Sequence, residues 1–208
     1  MFRIQYVSNL YLRDKVAFPH VVRPAARYLA LAGNIGDPYS QIHASFMDYC
    51  TRHWDHVYYV PGILELPHIP ALEKAYDYHP RISLLHYNQM SHFIAKKNVA
   101  VLGMPFLNNA KERRQFNSLL DYWNYQKVPV CAITHSDPTR HYTHLFHPNI
   151  KAWIYGEPNV RISDMYGNMY VAANGARPVG IRPACIEFRG GDDKEDKPLQ
   201  ELSAAAVL

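Results

Sequence analysis

Five short segments carry residue types and spacings suited to chemistry: Ser8-Asn9-Leu10-Tyr11, Gly33-Asn34, Gly62-Ile63-Leu64-Glu65, Thr134-His135-Ser136 and Gly156-Glu157-Pro158-Asn159. Each follows an apolar, β-branched or aromatic run, which puts it where a strand ends and a loop begins. In this order and spacing the five look like the loops of an active-site cleft. Metal-assisted hydrolysis from such a cleft needs carboxylates and imidazoles that hold dications and activate a water. This chain supplies amides and hydrocarbon instead at most positions: Asn9, Tyr11, Asn34, Ile63, Leu64 and Asn159, with His135, Glu157 and Glu65 as the remaining candidates.

The elements that must position these loops alternate. Phe2 to Val7, Arg27 to Ala32 and His56 to Val60 read as strands, and Ser40 to Trp54 between them has Ile42, Phe46, Tyr49 and Cys50 at helical spacing. Pro67 to Tyr78 is expected to form a helix, and Arg81 to His86, His92 to Ala95 and Val99 to Leu102 short strands. Asn109 to Gln126 is an amphipathic helix with Phe116, Leu119, Leu120 and Trp123 in one stripe. Val128 to Ile133 and Lys151 to Tyr155 are strands. Arg161 to Ser163 and Met169 to Ala173 form a hairpin around Tyr166-Gly167-Asn168, and Ala184 to Phe188 is a final strand. Together these predict an α/β fold in which two sheets are sandwiched by helices. One domain is expected over residues 1–188, followed by a polar tail over 189–208 whose Leu199 to Leu208 end is a candidate docking segment.

With order and spacing in hand, the frame resembles the calcineurin-like metallophosphoesterases. The flanking sequence adds to the likeness: Leu29-Ala30-Leu31-Ala32-Gly33-Asn34-Ile35-Gly36-Asp37, Tyr59-Val60-Pro61-Gly62, Ala132-Ile133-Thr134-His135 and Trp153-Ile154-Tyr155-Gly156 are similar to the family's loops. The resemblance covers about residues 2 to 178 and implies a two-sheet αββα sandwich. It also implies two divalent ions on these loops and a bridging water that attacks phosphorus. Carried over position by position, the first loop's Asp and His are Asn9 and Tyr11, and the bridging Asp is Asn34. The third loop's ligand Asn is Ile63 and its proton-donating His is Leu64. The fourth loop keeps His135, and the fifth loop's two His are Glu157 and Asn159. Glu65 matches the family but is not one of its metal ligands.

Charge decides what these replacements do. Two dications roughly 3.5 Å apart repel by on the order of 19 kcal/mol at an effective dielectric of 20. Anionic ligands offset that repulsion; neutral Asn9 and Asn34 do not, and Ile63 and Leu64 have no lone pairs. The expected cleft is metal-free and held by hydrogen bonds among amides, Tyr11 and His135. The chain then reads as a pseudoenzyme, a structural or scaffolding subunit that needs no cofactor and works through protein partners. Two alternatives stay open: a divergent phosphoesterase with a single ion on His135 and Glu157, and a module that binds a phosphate-bearing or nucleic-acid ligand in the vestigial cleft. His135, His141, His144 and His147 lie close in sequence, and His144-x-x-His147 has zinc-ligand spacing, but the segment carries Pro138 and Pro148 and reads as a loop. Gly33-Asn34-Ile35-Gly36 lacks the Lys-Ser/Thr of a nucleotide-cradling turn.

Composition sets the outer bounds. The 208 residues are 48% hydrophobic and 19% charged, a globular rather than disordered balance. A net charge of +4 without a basic stripe does not indicate nucleic acid. Three scattered cysteines, Cys50, Cys131 and Cys185, and an N-terminus without a secretory core predict a reduced, intracellular protein with no membrane span. Sixteen Tyr and twelve His, concentrated in part in Arg140 to His147, point to a contact surface.

Overall fold

The computed structural model describes residues 1–13, 17–107, 110–141, 143–157, 161–175 and 183–190, without the side chains of Arg140, His141 and Arg161. In chain order the elements are β1 (Phe2–Val7), α1 (Phe18–Val21), β2 (Tyr28–Ala32), α2 (Gln41–His53), β3 (His56–Val60), α3 (Ile69–Tyr76), β4 (Ile82–Leu84) and β5 (Ser91–Ile94). There follow β6 (Val99–Met104), α4 (Ala110–Tyr125), β7 (Val130–Thr134), α5 (Pro138–His141), β8 (Ile150–Tyr155), β9 (Arg161–Tyr166), β10 (Met169–Asn174) and β11 (Ala184–Phe188).

The strands form two sheets, ordered β11-β1-β2-β3-β4 and β5-β6-β7-β8-β10-β9. β1 to β4 run parallel with β11 antiparallel outside β1, and β6, β7, β8 and β10 run parallel with β5 and β9 antiparallel at the edges. Strands covered on both faces read as near-continuous apolar runs, as β2, β6 and β7 do. Ile4, Tyr6, Ala30, Tyr58 and Val60 point from the first sheet toward Val101, Ile133, Ile154 and Ala172 of the second, making the inter-sheet core. Leu29, Leu31, Val57 and Tyr59 face outward onto Phe46, Cys50, Ile69 and Leu72 of α2 and α3. On the far side Leu102, Ala132, Trp153 and Val171 pack on Phe116 and Leu120 of α4. The result is the expected helix–sheet–sheet–helix sandwich. Cys50, Cys131 and Cys185 are buried and unpaired. No helix among the described residues is long and apolar enough to cross a membrane.

Local chemistry explains most boundaries. Ser40 accepts from the His43 N–H at 3.2 Å and caps α2. The hairpin turn between β9 and β10 is two residues long, with Gly167 at φ 60 where a left-handed residue is required. Two expectations need correction, and one element was not foreseen. The helix expected over Pro67 to Tyr78 opens as a 3₁₀ turn over Leu66–His68, and α3 starts only at Ile69 with Pro70 in its first turn; Pro70 has no N–H to bond the Leu66 carbonyl, so it is tolerated only where a new helix begins. The segment 140–147, read as a loop, begins inside α5 and continues as a 3₁₀ turn over Thr143–Leu145. Asp137 starts it, its carboxylate accepting from the Thr139 N–H and hydroxyl at 2.8 and 2.7 Å. Helix α1 spans four residues, too few to show a period in sequence. Of the tail, Arg189 and Gly190 are described, and Gly190 lies against the Lys97 carbonyl. Residues 191–208, including the Leu199 to Leu208 segment, lie outside the described residues.

Candidate functional site

The five loops leave the ends of β1, β2, β3, β7 and β8 and meet. The first runs alongside the second: Asn9 N–H donates to the Gly33 carbonyl at 2.8 Å, Tyr11 N–H to Asn34 at 3.0 Å and Leu12 N–H to Ile35 at 2.8 Å. Asn9, Tyr11 and Asn34 all hold left-handed backbone, at φ 56, 48 and 54. Asn tolerates this conformation; Tyr does so at a cost, which places strain at the loop cluster.

Asn34 is the hub. Its Oδ1 accepts from the Leu64 N–H at 3.1 Å. That bond fixes the amide, so Nδ2 faces the cleft, 2.8 Å from Asn9 Oδ1, 3.2 Å from the Tyr11 hydroxyl and 3.2 Å from His135 Nε2. Tyr11 closes the set by donating to Asn9 Oδ1 at 3.2 Å, and Asn9 Nδ2 donates to Ser8 Oγ at 3.0 Å. The opposite ring nitrogen, His135 Nδ1, is 2.9 Å from the Ala32 carbonyl and must donate to it. His135 is therefore the Nδ1–H tautomer, and its Nε2 lone pair accepts from Asn34. Burial lowers its pKa, against smaller upward pulls from the Ala32 bond and Glu65. The ring is wedged edge-on by Phe106, with centroids 5.3 Å apart.

Below this layer Glu65 is fully buried and clamps two loops. Its Oε1 accepts from Ile35 N–H at 2.5 Å and Gly36 N–H at 3.1 Å, and its Oε2 from Asn34 N–H at 2.9 Å and Gly62 N–H at 2.7 Å. Burial, and secondarily the negative charge of Glu65, push the Tyr59 hydroxyl pKa up, and His43 Nε2 lies 3.3 Å from that hydroxyl. Sequence reading missed this role. The signal was a carboxylate three residues after Gly62, directly following two hydrocarbon side chains.

The structure therefore brings Asn9, Tyr11, Asn34 and His135 into one hydrogen-bonded network, with Leu64 joined through its backbone. The Ile63 and Leu64 side chains point to solvent, 62% and 43% exposed. Glu157 is half-buried beside Gly156, and Asn159 lies outside the described residues. This donor set does not fit the two-metal centre that the fold implies. Asn34 presents N–H bonds where a bridging carboxylate oxygen would be needed, and both the His135 Nε2 lone pair and Asn9 Oδ1 already accept hydrogen bonds. The other histidines of the Thr134 to His147 stretch go elsewhere. His144 is exposed, His147 Nδ1 bonds Asn149 Oδ1 at 2.9 Å, and the His141 side chain lies outside the described residues. Among the described residues no three metal-ligating side chains stand preassembled.

Packing beneath the network is tight. A Cβ on Gly156 would overlap the Ala32 carbonyl oxygen and stand 2.7 Å from His135 Nδ1. Gly156→Ala is thus expected to break the Ala32–His135 bond and cost about 2–3 kcal/mol in urea unfolding, the range of overpacked sites. The His135 ring resonances should shift with it.

No protein-family model matches the chain, and no curated protein matches it in sequence. Solved structures do match in fold. Phosphopantetheinyl Hydrolase (PptH) from Mycobacterium tuberculosis superposes with a TM-score of 0.61 at 14% identity, covering 85% of this chain and 90% of that one. A putative 5'-nucleotidase from Staphylococcus aureus superposes with a TM-score of 0.60 at 13% identity, covering 96% of this chain and 53% of that one. A looser likeness extends to Vacuolar Protein Sorting 29 from Cryptosporidium parvum, with a TM-score of 0.46 at 11% identity over 97% of both chains.

Proposed function

Because the chain has the fold of the calcineurin-like metallophosphoesterases, we propose that it is a pseudoenzyme of that fold, a structural or scaffolding subunit that works through protein contacts. The observation that carries this reading is the orientation of Asn34. The Leu64 N–H turns its amide so that a donor faces the centre of the cleft. A metal bridge needs an anionic acceptor at that point, and a phosphate-activating water needs the metal. The leaving group meets a second obstacle, since the Leu64 side chain carries no proton to give. In place of ligand and acid, the third loop offers solvent two apolar side chains, Ile63 and Leu64. Exposed apolar groups on a rigid loop favour a protein partner over a phosphate.

Purified protein with added Mn²⁺ is expected to hydrolyse phosphomonoesters and phosphodiesters at the background rate. Asn34→Asp alone should recover nothing, because residues that act as a unit are non-additive. Turnover that a chelator abolishes would instead establish the enzymatic alternative built on His135 and Glu157. The partner is tested by isolating the native assembly. Ile63→Asp with Leu64→Asp should release the partner while leaving the fold intact by circular dichroism. An unchanged assembly would remove this loop from the interface.

A further inference from the structure

Away from the loop cluster, a second cleft of about 610 Å³ lies between the edge strands of the two sheets, β4 and β5. One side of it is polar but satisfied. His56 Nε2 and His92 Nδ1 both reach Ser83 Oγ, at 2.9 and 2.5 Å, and that hydroxyl donates to one imidazole and accepts from the other. The opposite side is acidic. Glu73 and Asp77 line it from the last turn and C-cap of α3, and among the described residues no Lys or Arg lines the cleft. Arg81, close by in sequence, turns away and donates to the Thr51 carbonyl at 2.8 Å. Burial lowers the pKa of His56 to about 4 and lowers those of His86 and His92, so these imidazoles are neutral at pH 7 and leave the two carboxylates uncompensated.

Three features of the acidic side are unfavourable in the chain by itself. Carboxylates four residues apart on a helix repel, and the C-terminal end of a helix disfavours both. His86 is 1% exposed, and its Nε2 faces Glu73 Oε1 at 3.6 Å, where the ring N–H belongs; its Nδ1 is then a buried acceptor with no partner in the cleft wall. Tyr78, at the rim, holds φ 67 just past the end of α3, where Gly or Asn is usual. Its ring is fully exposed, so no packing offsets the strain. The exposed ring of Phe93 borders the same cleft from β5. A group with positive charge, several N–H donors and a flat face answers all three. Guanidinium is that group: it carries five donors in one plane, pairs with carboxylates and stacks on aromatic rings.

We propose that this cleft receives an arginine side chain from a partner protein, with the guanidinium held by Glu73 and Asp77 and covered by Tyr78. The proposal rests on the reading that the chain works through protein contacts. Charge selects the occupant. An acidic or phosphorylated segment would meet two carboxylates and no cation, and an apolar one would desolvate both carboxylates without pairing them. Lysine supplies the charge but not the plane. Asn88 Nδ2 donates to Glu73 Oε1 at 2.9 Å and steadies that carboxylate, leaving Oε2 to the guanidinium. None of the lining residues belongs to the five loops, so this contact is separate from the one assigned to Ile63 and Leu64.

The test is an NMR titration of the isotope-labelled full chain with the blocked tripeptide acetyl-Gly-Arg-Gly-amide, alongside its lysine and citrulline counterparts. One anchoring side chain binds weakly, so saturation is expected on the order of 1 mM. Resonances of Glu73, Asp77, Tyr78 and His86 should move with the arginine peptide. Citrulline keeps the shape without the charge and should bind at least ~10-fold more weakly. Glu73→Gln and Asp77→Asn should each weaken arginine binding about 3–10-fold. Tyr78→Gly separates binding from folding: it relaxes the backbone and should raise the urea midpoint, yet weaken binding about 2–5-fold. No saturable shift, equal binding of the citrulline peptide, or binding indifferent to the Glu73 and Asp77 variants would each overturn the proposal. In the native assembly, Glu73→Gln with Asp77→Asn should weaken retention of the partner. Peptide binding with an unchanged assembly would make the cleft a site for a free guanidinium compound and overturn the protein partner. Failure of the scaffold reading looks different: it is chelator-sensitive phosphoester turnover by the parent chain, whatever the peptides do.

Discussion

Replacing Glu65 with alanine is expected to lower the unfolding free energy by about 4 kcal/mol, the largest single-residue effect in the loop cluster. Four buried N–H groups, those of Asn34, Ile35, Gly36 and Gly62, have the Glu65 carboxylate as their acceptor. Each orphaned donor costs ~1–3 kcal/mol, and water entering the vacated space recovers part of the sum. For a chain of this length the loss corresponds to about 8–16 °C in Tm. Glu65→Gln keeps the shape but turns an NH₂ group toward two of the donors, so it should cost roughly half as much. Hydrogen exchange gives a local readout, because the Ile35 and Gly36 amides, in the loop after β2, should lose protection before the amides of β2 itself. A Glu65→Ala protein within about 1 kcal/mol of the parent would mean that the carboxylate is not what holds the two loops together.

The second large effect is acid lability. In the unfolded chain imidazoles take up protons near pH 6.5. In the folded chain burial lowers the pKa of His43 to about 4, and lowers those of His86 and His135 as well. Between those values the unfolded state binds more protons, so stability is complete above pH 6.5 and falls as the pH falls. His43 alone should remove about 2 kcal/mol by pH 5. Its position explains the size. His43 Nε2 shares one hydrogen bond with the Tyr59 hydroxyl, and Nδ1 is buried with no partner. Protonation would add a second buried donor with nowhere to donate. Urea midpoints measured with a chelator present at pH 7, 6 and 5 should fall steadily. His43→Gln should flatten that slope by up to one proton, about 1.4 kcal/mol per pH unit. Midpoints that hold or rise toward pH 5 would contradict the assignment.

Much of this was legible in the residues. Apolar runs such as Leu29 to Ala32 and Val130 to Ile133 specify buried parallel strands wherever they occur, because strands covered on both faces tolerate little else. The stripe Phe116, Leu119, Leu120 and Trp123 makes a helix with one packing face for the same local reason. The order of the five loops, and the amides and hydrocarbon at Asn9, Asn34, Ile63 and Leu64, are read from sequence alone, and the expectation that they hold no two-metal centre follows from charge. The structure decided what depends on groups that only folding brings together. The direction of the Asn34 amide is set by the Leu64 N–H, 30 residues on, and the tautomer of His135 by the Ala32 carbonyl, 103 residues back. Glu65 became a clamp because four N–H groups from two loops close over it. Sequence proximity offered the histidines of Thr134 to His147, yet His144 is exposed and His147 bonds Asn149. The convergent pair is His56 and His92, on strands of different sheets, joined through Ser83. Backbone pattern is written residue by residue along the chain. The direction in which a polar side chain turns is fixed by the donors and acceptors that other strands deliver to it.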